Sequence, residues 1–68
     1  MNYTIDDLTE AKRQIGSTIH KLRETIVTLE SKENPERYKS QLTLARRRVA
    51  AFELANSLIE REIKELSL

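Results

Sequence analysis

Arg46-Arg47-Arg48 has no acidic residue three or four positions before or after it, so its charge is not compensated along its own helix. Guanidinium groups recognise carboxylates and phosphates. The triplet therefore points either to an acidic protein surface or to nucleic acid. Consecutive helical side chains diverge by about 100°, which spreads the three arginines around the helix instead of gathering them into one patch. Lys21 and Arg23 join them as candidate contacts for an anionic partner.

The raw materials for catalysis are few. His20 is the single histidine, with Glu24 one turn later to pair with it. A zinc or di-iron helix site needs a second histidine at helical spacing, and none exists. Of Glu60, Glu62 and Glu65, Glu60 has Lys64 at i+4 and Glu65 has Arg61 at i−4, the ladder of a solvated face. Gly16 is the only glycine, so no glycine-rich phosphate loop can form, and zero Cys removes thiolate chemistry. The expectation is a non-enzyme with no metal, no cofactor and no small-molecule substrate.

What positions these side chains is a pair of helices. Charged residues make up 34% and apolar residues 38% of the 68, with one Gly, one Pro and no Trp, a helical composition and not a turn-rich β one. Thr4 and Asp7 spell a capping box, with Tyr3 and Leu8 at the staple positions and Asp6 and Asp7 in the first turn. From there Ile5, Leu8, Ile15, Ile19, Leu22, Ile26 and Leu29 recur at a 3.5-residue period, which predicts a helix over about 5–32. Gly16 lies within it at a cost of about 1 kcal/mol relative to Ala, and a break there, giving three helices, is the alternative. Asn34 as cap and Pro35 at the first position place a turn at about 33–35 and open a second helix over about 35–66. Its stripe is Tyr38, Leu42, Ala45, Val49, Phe52, Asn56, Ile59, Ile63 and Leu66.

Folding the chain about that turn gives a single all-α domain over residues 1–68, an antiparallel two-helix hairpin of coiled-coil type. Facing positions pair Ile19 with Val49, Leu22 with Ala45 and Ile26 with Leu42. The same register sets Lys12 opposite Asn56, the one polar interruption of each stripe, and a polar layer of this kind fixes register in coiled coils. Such a rod leaves most of its surface wet, so a further partner is expected. Leu44, Ala51, Ala55 and Leu58 form a second stripe about 100° from the first, making the second helix the central element. A second copy fits that surface, giving a homodimer and a four-helix bundle; a different protein is the other candidate.

Net charge is +1, but its distribution is uneven. In the hairpin register Lys12, Arg13, Lys21, Arg23 and the three arginines, against Glu53, make a waist of +6. The terminal end is acidic through Asp6, Asp7, Glu10, Glu60, Glu62 and Glu65. The reading is therefore a small adaptor or regulatory protein acting by protein–protein assembly, with a nucleic-acid accessory protein using the basic waist as the alternative. No apolar run reaches membrane-spanning length and the acidic N-terminus does not read as a secretory signal, so the expected location is the cytoplasm.

Overall fold

The computed structural model describes residues 2–68. Helix α1 (Ile5–Glu30) begins at the capping box: Asp7 N–H donates to Thr4 Oγ1 at 3.0 Å, and Thr4 N–H donates to Asp7 Oδ2 at 3.1 Å. The shorter Asp side chain thus closes a box in which Glu is commoner. Gly16 does not interrupt the helix, which is continuous over 26 residues. It ends two residues before the periodicity predicts, where the Ser31 hydroxyl donates to the Thr28 carbonyl at 2.8 Å and competes with the next helical turn.

The return differs in detail from expectation. Asn34 makes no side-chain cap bond; its carbonyl accepts the Arg37 N–H at 3.1 Å. Pro35–Tyr38 is accordingly a 3₁₀ turn, and only then does α2 (Lys39–Leu66) take up α-helical bonding. The i→i+3 bonds of the tighter helix let the chain reverse in fewer residues.

The two helices pack along the seam that the stripes define. Ile19, Leu29, Leu42 and Ala45 are buried, while Leu8, Ile15, Leu22, Ile26, Val49, Phe52, Ile59 and Ile63 are half-buried. At the free end Ile5 and Leu66 remain exposed. The molecule measures 51 × 17 × 14 Å with a radius of gyration of 15.5 Å, against about 11 Å for a compact domain of this length. Its accessible surface is 5569 Å², where a globule of equal mass would show roughly 4,400 Å². A two-helix rod has only one seam to bury, and this excess is the consequence.

One polar layer crosses the seam. Asn56 Nδ2 donates to the Lys12 carbonyl oxygen at 3.3 Å, so the two polar interruptions do meet. Lys12 meets Asn56 through its main chain alone; its ammonium group leaves the seam and pairs with Glu60. Gly16, one turn after Lys12, completes the hollow that receives Asn56: a Cβ added there would stand 3.9 Å from Asn56 Nδ2, an ordinary contact. Space is thus available for a methyl group, and Gly16→Ala should raise stability by about 1 kcal/mol through helix propensity and a less flexible unfolded chain. A thermal melt showing no gain, or a loss, would mean that the layer tightens around Gly16 in solution.

Candidate interaction surface

The seam has two edges, and they differ in kind. Residues following the Ile15, Leu22 and Leu29 row line the first edge on α1, namely Gly16, Arg23 and Glu30. Arg46, Glu53 and Glu60 line it on α2 at the same seven-residue spacing. These positions are offset along the seam, and their long side chains bridge the offset: Arg23 Nη2 lies 3.1 Å from Glu53 Oε1, and Arg46 Nη2 lies 2.5 Å from Glu30 Oε2. Glu60 takes the Lys12 ammonium on the same edge. The hydrogen bond from Lys12, then its charge, holds the Glu60 carboxyl below its ordinary value. Exposed pairs of this sort contribute little each, and three in a row make this edge a closed polar zipper.

The opposite edge carries no ion pair among the described residues. On α1 it is lined by Ala11, Thr18 and Thr25, and on α2 by Gln41, Arg48 and Ala55, with Leu44, Ala51 and Leu58 just beyond them. Near the turn a groove of about 210 Å³ opens here between Leu22, Thr25 and Leu29 on one side and Gln41, Leu44, Ala45 and Arg48 on the other. Toward the free end Tyr3, Leu8, Ala11 and Ile59 border a second groove of about 560 Å³, together with Asp7. Leu44 is 48% and Leu58 53% exposed; Ala51 is exposed and Ala55 half-buried. Leu44, Ala51, Ala55 and Leu58 thus form an apolar strip along the edge that holds these two grooves.

The basic waist is largely spent inside the hairpin. Of its seven cations, Lys12 pairs with Glu60, Arg13 with Glu10, Arg23 with Glu53 and Arg46 with Glu30. Lys21, Arg47 and Arg48 are the three that form no ion pair among the described residues. Arg46 is thus compensated from the other helix, although not along its own. The Arg13 guanidinium, and next the Gln14 amide, bring Glu10 down to about 2 by hydrogen bonding.

Sequence reasoning placed the arginines but missed Glu30 and Glu53 as their partners, and placed Glu60 on a solvated ladder with Lys64. A signal was available in the seven-residue spacing of Arg46, Glu53 and Glu60 against that of Gly16, Arg23 and Glu30. His20 Nε2 lies 2.9 Å from Glu24 Oε1 on an exposed face of α1. Among the described residues, no three His, Cys, Asp or Glu side chains come together as a metal site, and no helix is long and apolar enough to cross a membrane. Comparison with protein-family models, with curated proteins and with solved structures finds no match.

Proposed function

We propose that this chain is a small non-catalytic assembly module that works as an adaptor or regulatory protein. It docks through the open edge of its hairpin, first onto a second copy of itself. The observation that carries this reading is the inequality of the two edges: one is zipped by Arg23–Glu53, Arg46–Glu30 and Lys12–Glu60, whereas the other offers Leu44, Ala51, Ala55 and Leu58.

Area supports the same reading. The surface in excess of a globule's, roughly 1,200 Å², exceeds the 800 Å² or so that each partner contributes to an interface of standard size. Two hairpins sharing this face would form a four-helix bundle with α2 of each at the centre. Assembly is favoured over nucleic-acid binding because only Lys21, Arg47 and Arg48 of the waist lack a carboxylate, and a phosphate track needs a denser row of cations.

Light scattering after size exclusion, over a concentration series, tests the proposal. The expected mass is twice the 7.9 kDa of the chain. A folded species at the single-chain mass throughout the series would overturn self-assembly.

A further inference from the structure

Self-assembly through α2 still allows the two copies to run parallel or antiparallel. Resting on the assembly reading, we infer that the second copy lies antiparallel along α2, with Ala51 on the two-fold axis. Leu44 of each copy then packs against Leu58 of the other.

Three of the four stripe residues are symmetric about Ala51, since Leu44 lies seven residues before it and Leu58 seven after; the fourth, Ala55, falls level with Arg47 of the other copy. A two-fold interface requires this self-complementarity, in which residue i meets residue j and j meets i. An antiparallel pair centred on Ala51 matches leucine to leucine at both ends and alanine to alanine at the middle. The small central side chains let the helix axes approach to about 8 Å.

Charge then selects this direction over the parallel one. The half of α2 from residue 39 to 51 holds Lys39, Arg46, Arg47 and Arg48 with no acid, a net +4. The half from 52 to 66 holds Glu53, Glu60, Glu62 and Glu65 against Arg61 and Lys64, a net −2. Parallel pairing would stack Arg48 on Arg48 and Glu62 on Glu62 beside the apolar strip, and like charges across an interface oppose association. Antiparallel pairing brings Glu65 level with residue 37 of the other copy, an arginine, and Glu62 level with residue 40, next to Lys39. Arg46, Glu53 and Glu60 are already paired within each hairpin, which leaves +3 on the first half and 0 on the second, so parallel pairing still sets the three remaining cations of one copy against the same three of the other.

The absence of any native cysteine makes cross-linking a direct test, since each introduced thiol is the only one in its chain. A disulfide needs Cα atoms within about 7 Å. In the inferred dimer Ala51→Cys chains meet on the axis and oxidise to a covalent dimer. Leu44→Cys chains alone do not, because the two positions are separated by roughly 21 Å along the axis. A mixture of Leu44→Cys and Leu58→Cys chains gives the mixed covalent dimer. Parallel pairing reverses the second result: Leu44→Cys chains then cross-link to themselves, and the inference falls while the assembly reading stands. It also falls if Ala51→Cys fails to cross-link in a chain that light scattering shows to be dimeric and circular dichroism shows to be helical. A single-chain mass for the wild type removes the assembly reading itself, and the orientation with it.

Discussion

Ala51→Glu is expected to convert the proposed dimer to a monomer, raising its dissociation constant by about a thousandfold. The site is exposed in the single hairpin, and Glu is a good helix former, so the substitution leaves the seam of Ile19, Leu29, Leu42 and Ala45 untouched. In the antiparallel dimer it sets two carboxylates against each other on the axis. At about 4 Å and an effective dielectric near 20 their repulsion is about 4 kcal/mol, close to three powers of ten in affinity. Light scattering on the variant should give the single-chain mass at concentrations where the wild type is dimeric. Lowering the pH until the paired carboxyls protonate should restore the double mass. Leu54→Glu is the matching control. Leu54 is 63% exposed, more than Leu44 or Leu58, and lies opposite the seam about 60° around α2 from Ala51, off the two-fold axis, so its variant should lose much less affinity than Ala51→Glu. If Leu54→Glu dissociated the dimer and Ala51→Glu did not, the docking face would have to be turned by about 60° around α2.

This choice of face combines a signal in the sequence with one that only packing supplies. The second stripe, Leu44, Ala51, Ala55 and Leu58, is visible as a period, just as the capping box at Thr4 and the meeting of Lys12 with Asn56 are. Each depends on spacing along one helix or on a simple pairing of positions. That the strip borders an edge without ion pairs is a relation between two helices. It depends on how far long side chains reach back toward their own N-termini, which a list of facing positions does not contain. Arg23 and Glu53 do not face one another by the pairing of seam positions, yet their side chains reach across the offset and form an ion pair. Charge counted by segment therefore overstated the waist, because Glu30 was counted with the turn and Glu60 with the free end, although both reach into it. The 3₁₀ start of α2 was hidden for a local reason: Pro35 suits the first turn of either helix type, and only the reversal of the chain demands the tighter one.

Asn56→Leu is expected to raise the melting temperature and at the same time to broaden the distribution of assembled species. Asn56 is half-buried; its Nδ2 makes one long bond of 3.3 Å to the Lys12 carbonyl, and its Oδ1 is enclosed with no hydrogen-bond partner. An enclosed acceptor left unpaired costs about 1–3 kcal/mol, and a leucine would remove that cost while adding apolar contact in the hollow above Gly16. For a domain of this size each kcal/mol moves the midpoint by about 4–8 °C. A lone polar residue in a coiled-coil seam can offset such a cost by distinguishing one register from its neighbours, and that is the role the variant tests. With leucine at 56, α1 of one chain can pair with α2 of another in shifted or exchanged arrangements that no longer bury an amide against apolar side chains. Lys12 does not resist this, since its ammonium group already sits outside the seam with Glu60. Calorimetry should show the higher midpoint and light scattering a mass distribution wider than that of the wild type. A lower midpoint would mean that the bond to the Lys12 carbonyl contributes more than the unpaired Oδ1 takes away. A higher midpoint with one sharp mass would assign the register to the turn at Ser31–Asn34 and to the zipper of Arg23–Glu53 and Arg46–Glu30 instead of to Asn56.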